Sequence, residues 1–152
     1  IRILFVCAGN TCRSPMAAAM CRKKLCEKLN CTVDEIEARG YKIASAGLMG
    51  GAGMPVSKEV ISICAREGID VSNHRSRALT SAEAEASDYI FAMNKSHREQ
   101  ILEVCPGAGE KCLLLDAGGG IGDPIGAGVD VYEKCAQQID RAVAKRVDEI
   151  LV

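Results

Sequence analysis

The chain has 152 residues and 48% hydrophobic content, enough to bury one core, and nothing in its composition marks a second domain, so residues 1–152 are read as a single domain. Its 19 basic and 20 acidic residues are dispersed and leave a net charge of −1, which excludes a basic face for nucleic acid. The first apolar run, Ile3 to Val6, is too short for a signal peptide or a membrane span, so a cytoplasmic protein without membrane association is expected.

Taken in chain order, Ile1 to Val6 reads as a β-strand buried on both faces, as in a parallel sheet. Ser14 to Leu29 follows as a helix with Pro15 in its first turn. Lys42 to Ala46 is a second strand, leading into the glycine-rich loop Gly47 to Pro55. Val56 to Glu67 is helical and stops at Gly68. Asp88 to Met93 is a third strand, Lys95 to Val104 a helix that ends before Pro106, and Lys111 to Leu115 a fourth strand. The long loop "DAGGGIGDPIGAG" then precedes a final helix from about Val129 to Leu151. Strands alternating with helices point to an open parallel α/β sheet, in which ligands sit beyond the carboxyl ends of the strands.

The nine cysteines include no CxxC pair, and the two histidines, His74 and His97, do not adjoin a cysteine cluster in the sequence. Neither a structural metal nor a cofactor is expected. Cys21, Cys26 and Cys31 recur every five residues and read as ordinary apolar or surface positions.

Cys7 is different. In "VCAGNTCRSP" the first strand runs into a turn and then a helix start. Gly9 and Asn10 are residue types that accept a left-handed backbone, which lets successive N–H groups converge as a nest. The helix N-terminus adds its own N–H groups and dipole, and Arg13 supplies a planar fork matched to two phosphate oxygens. Ala8, Gly9, Asn10, Thr11, Cys12, Arg13 and Ser14 thus form a cradle for a tetrahedral dianion, and the absence of a GxxxxGK[ST] lysine excludes a nucleotide P-loop. Positive potential of this kind favours thiolate over thiol, Ser14 is placed to hydrogen-bond the same sulfur, and a thiolate beneath a phosphoryl group is a nucleophile. Alone, Cys7 would read as a buried strand end; the accompanying Gly9, Asn10, Arg13 and Ser14 favour the nucleophile.

The stretch resembles the CX5R loop of the low-molecular-weight protein tyrosine phosphatases, and the similarity covers essentially the whole chain. "SAG" at Ser45 to Gly47, "HRSRAL" at His74 to Leu79, "SDYIFAM" at Ser87 to Met93 and Asp123-Pro124 occur in that family's order. The resemblance implies a three-layer α/β fold, a four-stranded parallel sheet with helices on both faces. It implies hydrolysis of phosphorylated protein side chains through a phosphocysteine on Cys7. From the residues alone, Asp123-Pro124 reads equally as a turn or as a general acid; the resemblance favours the acid. It also assigns Asn10, Ser14, Ser45 and His74 to the polar shell that holds the loop. Without it, Asn10, Ser45 and His74 would read as capping or surface residues. By the same resemblance, Cys12 would form a disulfide with Cys7 under peroxide.

Tyrosine-specific members grip the phenyl ring with aromatic residues beside the Asp-Pro pair, where this chain has Ile125, and in the loop after the second strand, where it has none. Thr11 stands where those members carry a bulkier aliphatic residue. In "CAGNTCRSPMA" and "DPIGAGVDVY" the chain is most similar to bacterial protein-arginine phosphatases. Thr11 and Ile125 are therefore the expected specificity residues, with protein phosphoarginine the expected substrate and phosphotyrosine the alternative. A monomer is expected. Arsenate reductases share the fold but place a relay cysteine after the third strand, where this chain has Met93-Asn94. A cysteine phosphocarrier would need neither Arg13 nor Asp123.

Overall fold

The computed structural model describes residues 1–151. Four parallel strands, β1 (Arg2–Cys7), β2 (Lys42–Gly47), β3 (Tyr89–Ala92) and β4 (Cys112–Leu114), form one sheet in the order β2-β1-β3-β4. The central strand β1 is apolar at every position from Ile3 to Cys7, because both of its faces are covered. Its odd-numbered side chains Ile3, Phe5 and Cys7 share a core with α1 (Arg13–Leu29) and α5 (Val129–Leu151). Leu4 and Val6 point the other way and pack with Ile101 of α4 (Lys95–Val104). Three layers result, with helices on both faces of a four-stranded parallel sheet, the expected fold.

Helix α5 buries Tyr132, Cys135, Ala136, Ile139, Ala142, Val143, Val147 and Ile150, the stripe expected of a 3.6-residue period. The short edge strand β4 presents carbonyls that arginines cover: Arg98 donates to Cys112 O (2.8 Å), and Arg146 donates to Leu114 O (2.5 Å) and Leu115 O (3.2 Å).

Two differences from the sequence expectation have local causes. The helix read from Val56 begins at Lys58 as α2 (Lys58–Arg66), because the Ser57 amide is tied to Thr11 O at 3.0 Å. A helix absent from the sequence reading, α3 (Ser81–Ala86), precedes β3; Thr80 caps it by accepting from the Glu83 amide.

The order β2-β1-β3-β4 means that the chain leaves β1 towards one side of the sheet and later returns on the other. The connections diverge at the carboxyl end of β1 and open a crevice there. The segment Ala8–Cys12 lies in that crevice, and the loop after β4 carries Asp123 to the same edge.

Candidate active site

Cys7 ends β1 with its sulfur buried beneath the turn that follows. Three groups converge on that sulfur or its immediate partner. The Asn10 amide donates to Cys7 Sγ at 3.3 Å, Ser14 Oγ lies 3.0 Å from it, and Asn10 Nδ2 donates to Ser14 Oγ at 2.8 Å. The Gly9, Thr11, Cys12, Arg13 and Ser14 amides donate to no protein group among the described residues. These amides, at the N-terminus of α1 and around one sulfur, form a donor set suited to a tetrahedral oxyanion.

Of the two residues expected to turn the loop left-handed, only Asn10 does so, at φ 57°. Gly9 keeps a negative φ, and a Cβ there would meet nothing closer than Thr11 Oγ1 at 3.7 Å. The strained residue is held on every side. Asn10 Nδ2 also donates to Ser45 Oγ (3.0 Å), Asn10 Oδ1 accepts from the Arg77 amide (3.1 Å), and His74 Nε2 donates to Asn10 O (2.8 Å). That last bond places the ring proton of neutral His74 on Nε2, since a carbonyl only accepts. Asn10, Ser14, Ser45 and His74 thus meet around the turn. The Arg77 amide, which the sequence reading missed, belongs to the same network, and its neighbourhood was marked only by the quoted "HRSRAL".

Gly47 is the second close approach. A Cβ there would lie 2.9 Å from Ala8 O and 2.9 Å from Asn10 Cβ, so the end of β2 can sit against the turn only as glycine.

Arg13 is buried, and its guanidinium reaches the loop after β4. Nη1 donates to Ile121 O at 2.8 Å, and Nη2 lies 3.6 Å from Asp123 Oδ2. The other Asp123 oxygen, Oδ1, accepts from the Ile125 amide at 3.1 Å. One carboxylate therefore both makes the Asp-Pro turn and faces Arg13. Asp123 is 45% exposed, and Ile125 beside it is 55% exposed. Thr11 stands at the rim with its carbonyl fixed by Ser57.

Cys12 occupies the position just before α1 and is buried. Burial first, then the sulfurs of Cys135 and Cys7 and the Asp123 carboxylate, push its thiol well up against the opposing pull of Arg13. Cys135 of α5 lies under the same loop, its thiol directed at Gly122 O (3.8 Å) and pushed up to about 11, mainly by burial.

His97, assigned no role in the sequence reading, joins this neighbourhood. It starts α4 at the carboxyl end of β3, is 8% exposed, and its Nδ1 is enclosed without a hydrogen-bond partner. Burial lowers its basicity, Arg13 lowers it further, and Asp123 opposes both. Its place right after the third strand was the only sequence signal. Among the described residues, no three His, Cys, Asp or Glu side chains converge to hold a metal ion.

A family model described as low molecular weight phosphotyrosine protein phosphatase matches residues 2–151. A protein-arginine-phosphatase of Geobacillus stearothermophilus is 30% identical, the match covering 98% of this chain and 95% of that protein. A probable low molecular weight protein-tyrosine-phosphatase, EpsP, of Ralstonia nicotianae is also 30% identical, over 97% of this chain and 94% of its own. Among solved structures, Vibrio vulnificus Wzb in complex with benzylphosphonate superposes with a TM-score of 0.83 at 30% identity, covering 97% of each chain.

Proposed function

The chain belongs to the low molecular weight phosphotyrosine protein phosphatase family and is a protein phosphatase of that type, and from this we propose that it cleaves protein phosphoarginine through a phosphocysteine on Cys7. The observation that carries the reading is the convergence on one sulfur: Cys7 Sγ lies under unpaired amides and hydrogen-bonds Ser14 and the Asn10 amide, with Arg13 and Asp123 joined across the crevice.

In this scheme the free amides of Gly9, Thr11, Cys12, Arg13 and Ser14 and the Arg13 fork hold the three non-bridging phosphoryl oxygens. Cys7 thiolate attacks phosphorus opposite the leaving group. Asp123, protonated, delivers its proton to the departing guanidinium nitrogen, and the S–P bond forms as the N–P bond breaks. The resulting Asp123 carboxylate then takes a proton from a water that attacks the phosphocysteine, releasing phosphate and Cys7 thiolate. The phosphoryl dianion competes with Asp123 for Arg13, which frees the carboxylate from its ion pair for proton transfer. Ser14 and Asn10 donate to the sulfur as its negative charge returns. Asn10, Ser45 and His74 act by holding the turn in place. Under peroxide, Cys7 and Cys12 close a disulfide that shields the nucleophile from irreversible oxidation.

Two residues favour the guanidinium over the phenyl group. Thr11 offers a small hydroxyl-bearing rim, and Ile125 stands where a ring-gripping aromatic would be. A planar cation beside the Asp123 carboxylate is also matched in charge. Phosphotyrosine is the second reading, favoured by the exposed apolar side chains Met49 and Met54 on the loop after β2. We place the enzyme in the cytoplasm as a monomer acting on phosphorylated proteins; no helix among the described residues is long and apolar enough to cross a membrane.

The test is a side-by-side assay on one protein carrying phosphoarginine and one carrying phosphotyrosine. Higher kcat/KM on phosphoarginine is expected, and a preference for phosphotyrosine overturns the arginine reading. Cys7→Ser should abolish turnover of both while phosphate still binds, and EDTA should leave the rate unchanged. Appreciable turnover by the serine variant would remove the phosphocysteine scheme altogether.

A further inference from the structure

Cys21, Cys26 and Cys31 share one sequence spacing but not one environment. Five residues of α-helix advance about 500°, so Cys21 and Cys26 face directions about 140° apart. Cys21 accordingly points into the core, 1% exposed. Between Cys26 and Cys31 the helix stops. Asn30 turns left-handed at φ 53°, and the Asn30 and Cys31 amides both donate to Cys26 O, the latter at 3.0 Å. This closure folds the chain back over the last turn of α1. Such a closure sets the side chain after the left-handed residue beside the one whose carbonyl is capped, here Cys31 beside Cys26, and burial together with the Cys31 sulfur pushes the Cys26 thiol up.

The pair is also reachable. Both cysteines are free and half-buried. They line a groove of about 860 Å³ with Lys23, Asn30, Glu67 and Val71, at the opposite end of α1 from Cys7. Neither residue has a part in the phosphatase scheme.

We propose that Cys26 and Cys31 form a second redox site, a dithiol that hydrogen peroxide converts into an intramolecular disulfide without involving Cys7 or Cys12. One sulfur, as thiolate, attacks the peroxide O–O bond; it becomes a sulfenic acid and the other oxygen leaves as water after protonation. The second sulfur attacks the first, forms the S–S bond and expels the sulfenic oxygen as a second water. Two thiols are oxidised and one peroxide is reduced to two waters. A disulfide requires residues that lie side by side without backbone movement, and the 3.0 Å bond from the Cys31 amide to Cys26 O already holds these two together. The bridge staples the C-terminal turn of α1 to the segment that follows it.

Tryptic cleavage after Lys24, Lys28 and Arg39 separates the two cysteines into the peptides 25–28 and 29–39. The full chain, and a Cys7→Ser/Cys12→Ser variant that lacks the catalytic thiols, are treated with hydrogen peroxide, blocked with N-ethylmaleimide and digested without reduction. The expected product in both is the linked pair of peptides, lighter by about 2 Da than their sum for the two lost thiol hydrogens and separated by dithiothreitol. Cys21→Ser should retain the linked peptide, whereas Cys26→Ser and Cys31→Ser should lose it while keeping phosphatase activity. Recovery of both peptides alkylated by maleimide, or of either as a sulfinic acid, overturns the proposal. The linked peptide is read by mass, with or without the catalytic thiols, so the proposal stands or falls apart from the phosphatase reading.

Discussion

Asp123 is asked to do two things that differ in what they need from the residue. Its Oδ1 holds a turn through the Ile125 amide, which asparagine can also do. Its Oδ2, facing Arg13, must gain and lose a proton, which asparagine cannot do. Asp123→Asn should therefore keep the fold, since an ion pair with a partner this exposed contributes about 0–1 kcal/mol. It should slow turnover by about 10²–10⁴, most on substrates with poor leaving groups. Steady-state kinetics on a leaving-group series checks this; an equal, small loss on every substrate would make Asp123 a turn residue only. Thr11 tests discrimination instead. The phosphoryl grip is the same for any substrate, so selectivity must come from groups beyond it. Thr11→Ile deletes a rim hydroxyl and adds apolar bulk, each worth about 1–3 kcal/mol when the contact is lost or crowded. Activity on phosphoarginine should fall and activity on phosphotyrosine should persist or rise, shifting the ratio of kcat/KM values about tenfold to several hundredfold. A parallel fall in both would mean that Thr11 only packs the loop.

At the scale of elements, the catalytic turn is shaped as much by β2 as by its own residues. Gly47→Ala puts a methyl within 3.0 Å of backbone atoms of Ala8 and Gly50 and of Asn10 Cβ. Neither the strand pairing with Cys7 nor the turn has room to yield, so the variant should lose about 1–3 kcal/mol of stability and a larger share of kcat, because the displaced atoms belong to the cradle. Thermal melting beside kinetics reads both; unchanged values for both would show that the turn tolerates a wider approach. The strands, α1 and α5 were legible because burial on two faces gives continuous apolar runs and burial of one stripe gives a 3.6-residue period. Helix α3 was not, since its six residues bury only Ala84 and carry no period; the Thr80-x-x-Glu83 pattern was its one mark. The site divides in the same way. Cys7, Arg13 and Ser14 lie in one short stretch of chain, so their spacing could be read. Gly47, the Arg77 amide, Ile121 O and His97 come from other elements, and only the sheet order brings them to the turn. Gly9 shows the converse error: glycine permits a left-handed residue, but Asn10 supplies it, held by hydrogen bonds that glycine has no side chain to make.

For the whole molecule, both histidines sit where loops close onto the sheet edge, and both are stabilised in the neutral form. Burial lowers the basicity of His74, and Arg22, Arg77 and Arg75 lower it further against the opposing bond to Asn10 O. For His97 burial and Arg13 act together against Asp123. A histidine whose proton affinity is depressed on folding binds more protons in the unfolded chain. Its contribution is complete above the unfolded value of about 6.5 and declines as pH falls from there through the folded value. Glu35, Asp70 and Asp116 are lowered by hydrogen bonds from Thr32, Ser72 and Gln138 respectively, and their contribution is lost only below about 4.5. Two acid limbs follow, and the first belongs to the site. Urea denaturation across pH 7 to 5 should show stability falling before the carboxylates titrate. His97→Leu removes a charge that must be buried on protonation, together with an unpartnered nitrogen. The variant should flatten part of that first limb and leave the second intact. His74→Asn should flatten the remainder but also lower stability at pH 7, because the bond to Asn10 O is lost with the ring. If the wild-type chain shows no loss of stability between pH 7 and 5, the buried neutral histidines do not govern its acid response, and the carboxylates alone set where it unfolds.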